Sequence, residues 1–181
     1  IGINLRHWPF APDQAKALHN AVRDFARAMV RRHRARIIVF PFNKSRREIA
    51  LAEQLVQSVG KKQAYLVTYN QRPDVLKGLF KSIDVMVAMR LHASILALGA
   101  RVPTVGLVYD PKVRNLYVEA GINELLIPIE RLQPAALLST VEGVLAQCES
   151  WIKRIDQGMA HLEQREQNNL VLLARQLQAI G

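Results

Sequence analysis

An arginine and a histidine, separated by one residue, lie where a predicted buried strand ends and a predicted helix begins. The predicted strand covers residues 83–88, and the body of the predicted helix covers residues 95–100. Arg90 and His92 lie between them. A helix start offers unpaired N–H groups and the positive end of a dipole, which attract an anion. A guanidinium can add a forked hydrogen bond to a carboxylate or phosphate, and an imidazole can exchange a proton near neutral pH. The spacing predicts an anion site capable of acid–base chemistry.

A second arginine, Arg6, ends the first predicted strand, residues 1–5. In a doubly wound sheet of strand order 3-2-1-4-5-6, the first and fourth strands are neighbours at the switch point where ligands bind. We therefore expect Arg6 and Arg90 to face one crevice and to share one anion. Two alternatives stay open: Arg6 as an exposed loop residue, and His92 as a helix-start histidine bonded to the backbone.

The elements that must position these residues alternate along the chain. Continuous apolar strands followed by amphipathic helices predict an α/β fold with a doubly wound, mainly parallel sheet of about six strands. The other strands are predicted at 36–40, 64–68, 103–108 and 124–127. One helix is predicted to begin at residue 12, and others are predicted at 73–81, 132–146 and 151–180. Ser45 and Glu48 form a capping-box pattern, which predicts the start of a further helix there. Residues 1–147 should form one Rossmann-like domain, and residues 148–181 a trailing long helix.

Weaker candidates stand at the same edge of the predicted sheet. His7 and Trp8 follow Arg6, and packing is the favoured role for Trp8. Asp110 precedes a helix and is more typical of a cap than of a base, while Lys112 could reach a phosphate or simply face solvent. Ser94 is expected to bond locally.

Composition excludes several classes of protein. The chain has 181 residues, half of them hydrophobic, one cysteine and five scattered histidines, so we expect one core, a reducing compartment and no metal site. Glycine-rich nucleotide loops and the G-x-S-x-G elbow are absent from the sequence. Because the chain starts at Ile1, within an apolar strand and without a signal peptide, we expect a fragment that lacks an N-terminal part.

The net charge of +10 is concentrated in the first third of the chain. We interpret this basic patch as a solvated helix face and loop, with anionic lipid or nucleic acid as alternative partners. Its members are Arg23, Arg27, Arg31, Arg32, Arg34, Arg36, Lys44, Arg46 and Arg47. Few aromatic residues are interleaved with them, which disfavours a single-strand nucleic-acid surface.

Two sequence blocks carry a resemblance to a known family. Residues 84–93 read DVMVAMRLHA, and residues 99–112 read GARVPTVGLVYDPK. Together with GINLR at 2–6 and LFKSID at 79–84, they resemble the polysaccharide pyruvyl transferase family. Within the family, the chain resembles the CsaB-type enzymes, which act on bacterial secondary cell-wall polymers. The resemblance covers about residues 1–125.

The resemblance implies the C-terminal Rossmann-like half of a GT-B architecture, with a missing N-terminal domain closing the cleft. It implies phosphoenolpyruvate as donor, no cofactor, and a polysaccharide or lipid-linked glycan as acceptor of a ketal-linked pyruvate. The positions matching donor-binding residues of the family are Arg6, Arg90, Leu91 and His92. Asp110 and Lys112, in the second block, are further candidates for substrate binding. His92 is the expected general acid. The family also implies an acidic residue near the helix start at 43–47, where this chain is basic.

Such an enzyme would work in the cytoplasm, with peripheral contact to the inner face of the membrane as an open question. We expect the isolated chain to be inactive without its partner domain, and no nucleic acid to bind. Two other functions stay open: a nucleotide-sugar-dependent GT-B glycosyltransferase domain, and a basic α/β module without enzymatic activity.

Overall fold

The computed structural model describes residues 1–7, 12–68 and 72–180, excluding the side chains of 73, 174 and 177–180. Trp8 therefore lies outside the described residues. Six parallel strands form one open sheet in the order β3-β2-β1-β4-β5-β6, which confirms the predicted fold class and strand order. The strands are β1 Gly2–Asn4, β2 Ile37–Val39, β3 Ala64–Leu66, β4 Met86–Ala88, β5 Thr104–Val108 and β6 Leu126–Pro128.

Helices connect the strands and then follow the last one. They are α1 Pro12–His33, α2 Arg46–Val59, α3 Pro73–Phe80, α4 Leu91–Gly99, α5 Pro111–Glu119, α6 Pro134–Ala146 and α7 Cys148–Ile180. The predicted strand at 124–127 begins too early, because Asn123–Leu125 forms a 3₁₀ turn closed by the Leu125 N–H on the Ile122 carbonyl. None of the described helices has an apolar stretch of the length needed to cross a bilayer.

The helices cover both faces of the sheet. Contacts join α1 to α2 and α6, and join α4 to α3 and α5, as right-handed crossovers in opposite directions from β1 require. Side chains of β4 alternate accordingly: Val87 belongs to one buried cluster, and Met86 and Ala88 belong to the other. Burial on both faces explains why the strands read as continuous apolar runs.

Helix α7 packs on the domain with its first half. Ile155 is fully buried, and a Cβ at Gly158 would overlap the backbone of Ala120 at the end of α5. Arg154 donates through Nη2 to the Gly121 carbonyl at 2.6 Å and to Glu124 Oε1 at 2.8 Å. Beyond these contacts, residues 170–173 are each at least 50% exposed, so the later part of α7 projects from the domain.

A glycine in β5 admits the ring of Tyr117 into the core. A Cβ at Gly106 would lie 2.8 Å from Tyr117 Cζ and 2.9 Å from Leu126 Cδ2. Tyr117 is fully buried and its hydroxyl lies 3.2 Å from Ser94 Oγ, so Ser94 joins α4 to α5 rather than bonding only locally. Burial raises the pKa of Tyr117, which keeps the phenol neutral and able to donate.

We predict that Gly106→Ala lowers the free energy of unfolding by about 1–3 kcal/mol, because the added methyl group overpacks the ring of Tyr117. Urea denaturation of the chain measures this. Gly143→Ala in α6 is the matched control, since a Cβ there meets nothing within 4 Å and alanine favours a helix. Equal stabilities of the two variants would contradict the packing argument.

Candidate active site

A buried asparagine ties three strand ends together at the carboxyl edge of the sheet. Asn4 of β1 has no exposed surface. Its Nδ2 donates to the Phe40 carbonyl after β2 at 2.8 Å, and its Oδ1 accepts the Arg90 backbone N–H after β4 at 3.0 Å. Sequence reasoning gave Asn4 no role, although an amide within an apolar strand was a usable signal, because buried polar groups need partners.

The Arg90 guanidinium is held by a buried carboxylate. Its Nε donates to Glu48 Oε1 at 3.0 Å, and its Nη2 pairs with Glu48 Oε2. The side chain of Glu48 is 2% exposed and that of Arg90 is 21% exposed. The Phe42 N–H also donates to Glu48 Oε1, at 3.2 Å. The third guanidinium nitrogen, Nη1, has no partner among the described residues.

The basic stretch 43–47, near which the family resemblance implies an acidic residue, is followed directly by Glu48. Glu48 lies in the first turn of α2. Half of the predicted capping box is present, because Ser45 Oγ accepts the Glu48 N–H at 3.2 Å. The Glu48 carboxylate turns to Phe42 and Arg90 instead of capping Ser45, whose N–H donates to Asn43 Oδ1 at 3.0 Å. Only the tertiary fold reveals this partner.

Arg6 lies at the same edge but its side chain turns towards β5. Nη1 of Arg6 donates to the Tyr109 hydroxyl at 2.7 Å, and Cζ of Arg6 lies 5.1 Å from the centre of the Tyr109 ring. Arg6 is therefore half-buried and bonded rather than an exposed loop residue. Arg6 and Arg90 follow neighbouring strands, but their side chains turn in opposite directions along the edge of the sheet. Arg6 turns towards the end of β5, and Arg90 turns towards the start of α2. A single anion bridging both arginines remains a prediction.

Tyr109 belongs to the second sequence block, but its sequence context alone indicated no function for it. A cation beside an aromatic face and a hydroxyl acceptor is restrained by both. The combination of an arginine after β1 and a tyrosine after β5 could have suggested this pair, but only once the strand order was known.

His92 stands exposed in the first turn of α4, two residues after the N-cap position of Arg90. No side chain caps this helix start, so its first N–H groups are available to an anion. No hydrogen bond joins the His92 ring to any residue within 1–7, 12–68 or 72–180. Leu91 packs its side chain against the core and contributes its backbone to the helix start.

The fifth strand brings two more predicted residues to this edge. Asp110 caps α5, because its Oδ1 accepts the Lys112 N–H at 2.8 Å. The helix-cap interpretation of Asp110 is thus the one that the contacts support. The side chain of Lys112 is exposed. Binding of substrate by Asp110 and Lys112 remains a prediction.

Part of the basic patch is engaged within the fold. Arg27 Nε donates to the Ser58 carbonyl at 2.9 Å, which joins α1 to the end of α2. Arg32 and His33 both contact Glu142 on α6, and the hydrogen bond from His33 holds the pKa of Glu142 below its usual value. These contacts fit a helix face that is solvated and anchored to its neighbours.

The residues of this edge coincide with a match to a known family. Residues 5–111 match the family model described as polysaccharide pyruvyl transferase. The match spans more than half of the 181 residues and includes Arg6, Glu48, Arg90, His92 and Asp110. The chain therefore belongs to the polysaccharide pyruvyl transferase family.

Proposed function

We propose that this domain binds phosphoenolpyruvate and transfers its pyruvyl group, as a ketal, to a sugar of a cell-wall or surface glycan. Membership of the family gives the transferase class and a polysaccharide acceptor; the donor and the kind of glycan are our proposal. The observation that supports it is the uncapped start of α4, flanked by His92 and by an Arg90 guanidinium that Glu48 fixes in place.

The charges of the donor suit this edge. Phosphoenolpyruvate carries a phosphate and a carboxylate, and the edge offers two separated guanidinium groups together with free N–H groups of α4. Arg90 would bind one anionic group through Nη1 and the helix start, while Arg6, restrained by Tyr109, would bind the other. Both arginines are ordered before a ligand arrives, which reduces the entropy lost on binding.

The proposed chemistry requires one acid and two hydroxyl groups. His92 donates a proton to the methylene carbon, C2 becomes electrophilic, and a sugar hydroxyl adds to it. Phosphate then leaves with the C2–O bond electrons, and a second hydroxyl of the sugar closes the ketal. The hydroxyls release two protons: one restores His92, and the departing phosphate takes the other. An exposed imidazole at the helix start can approach both donor and acceptor.

The proposal also includes a partner domain and a cellular location. The domain would form one wall of a GT-B-type cleft, with a second Rossmann-like domain closing over the donor. It would work in the cytoplasm, in contact with the inner face of the membrane if its acceptor is lipid-linked. Asp110 and Lys112 would line the donor side of that cleft.

We predict that Arg90→Ala weakens binding of phosphoenolpyruvate by about ten- to a hundredfold, because one or more charge-assisted hydrogen bonds are lost. Isothermal titration calorimetry of the chain measures this. Arg36→Ala is the matched control, an exposed arginine at the amino edge of the sheet. Unchanged affinity in Arg90→Ala would contradict the proposal. Tight binding of UDP in place of phosphoenolpyruvate would favour a nucleotide-sugar enzyme.

We predict that His92→Gln slows a single turnover by about a hundredfold or more and changes donor affinity much less, as expected for loss of a general acid. The measurement is rapid-quench pyruvyl transfer by the enzyme carrying this domain, beside calorimetry of donor binding. His161→Gln on α7, another exposed histidine, is the control. A full single-turnover rate in His92→Gln would exclude this residue as the acid.

A further inference from the structure

Five residues at the carboxyl edge of the sheet close a ring of contacts. The Asn4 side chain accepts the Arg90 N–H at 3.0 Å and donates to the Phe40 carbonyl at 2.8 Å. Two residues after Phe40, the Phe42 N–H donates to Glu48 Oε1 at 3.2 Å. Glu48 in turn binds the Arg90 guanidinium, which completes the ring. The backbone of Arg90 is therefore fixed by Asn4, and its side chain is fixed by Glu48.

An amide is the side chain that this ring requires at position 4. Strand β1 is buried throughout, so packing alone would favour an apolar side chain there. A buried polar side chain costs free energy unless its groups are hydrogen-bonded. The Phe40 carbonyl needs a donor and the Arg90 N–H needs an acceptor, and asparagine carries one of each on a single planar group. Asn4 thus holds two main-chain segments at a fixed separation.

Asn4 is also linked to the second arginine of this edge. The Asn4 carbonyl accepts the Met89 N–H at 3.1 Å, and the Arg6 N–H donates to Met89 Sδ at 3.4 Å. Arg6 follows Asn4 by two residues, and Arg90 directly follows Met89. The ends of β1 and β4 are therefore joined just before each leads into its arginine. A shift of Asn4 would change the separation between Arg6 and Arg90.

We propose that Asn4 is a positioning residue, which sets the spacing of Arg6 and Arg90 so that one ligand with two anionic groups can bind both. The identity of that ligand as phosphoenolpyruvate rests on the proposed pyruvyl transfer. Asn4 has no exposed surface and acts only through the two arginines. Two cations at the right spacing bind one doubly charged ligand for a single loss of translational freedom. A ligand with one anionic group gains nothing from that spacing.

Calorimetric titration of the chain with phosphoenolpyruvate, phosphoglycolate, inorganic phosphate and pyruvate tests the proposal. The first two carry a phosphate and a carboxylate, and the last two carry one of these groups each. Asn4→Ala should weaken a two-anion ligand by about tenfold, and a single-anion ligand by less than about twofold. Asn4→Ser is a second variant in case Asn4→Ala does not fold, and circular dichroism checks the folding of each.

Thr104→Val is the matched control. Thr104 is a fully buried polar residue of β5, and its hydroxyl donates to the Val102 carbonyl at 2.8 Å, at the amino edge of the sheet. The control should lower stability without weakening any of the four ligands. Where a single-anion ligand binds too weakly to measure, the loss in Asn4→Ala is compared with the loss in Thr104→Val.

Three results would overturn the proposal. They are an equal loss for two-anion and single-anion ligands in Asn4→Ala, unchanged affinity for all four ligands, and an equal loss in Thr104→Val. Failure of the unaltered chain to bind either two-anion ligand would overturn both this proposal and the proposed donor. Binding of phosphoglycolate but not phosphoenolpyruvate, with a tenfold loss in Asn4→Ala, would contradict the proposed donor alone and support the role of Asn4.

Discussion

The carboxyl edge of this sheet depends on one buried ion pair. The carboxylate of Glu48 is almost fully removed from solvent, and a buried carboxylate is tolerated when charged and polar partners surround it. Arg90 supplies two donors and the Phe42 backbone supplies a third. Removing either side chain would leave a buried or half-buried charge without compensation. The start of α2, the loop after β2 and the start of α4 are therefore fixed relative to one another.

The same pair explains how a structural contact can serve chemistry. Glu48 binds Nε and Nη2 of the Arg90 guanidinium and leaves Nη1 without a partner among the described residues, and no side chain caps the helix that starts after Arg90. Asn4 holds the Arg90 backbone, so the main chain and the side chain of this residue are restrained separately. Towards β5, the hydroxyl of Tyr109 restrains the side chain of Arg6 by a hydrogen bond. Both arginines are held by partners at the edge where the donor would bind, and His92 is left exposed at the same edge.

Much of this architecture could be predicted from local sequence. Apolar strands alternating with amphipathic helices are sufficient to predict a doubly wound parallel sheet, and its usual strand order already places Arg6 and Arg90 at one edge. Pro111 and Asp110 predicted the start of α5, because their backbone preferences act over one turn. These features need no information about distant contacts.

The partners of the site residues could not be predicted in this way. Glu48 lies 42 positions from Arg90, and Arg6 lies 103 positions from Tyr109. A capping-box pattern explained Glu48 locally, which concealed its tertiary role.

The central claim is that Glu48 acts on the donor through Arg90. A double-mutant cycle on phosphoenolpyruvate affinity tests it most directly, using Glu48→Ala, Arg90→Ala and the double variant, with Glu53→Ala on the exposed side of α2 as a control. We expect Glu48→Ala to weaken binding about fivefold or more when Arg90 is present and to have almost no effect in Arg90→Ala, a coupling of about 1 kcal/mol or more. An equal effect of Glu48→Ala in both backgrounds, or tighter binding when Arg90 is present, would contradict the account.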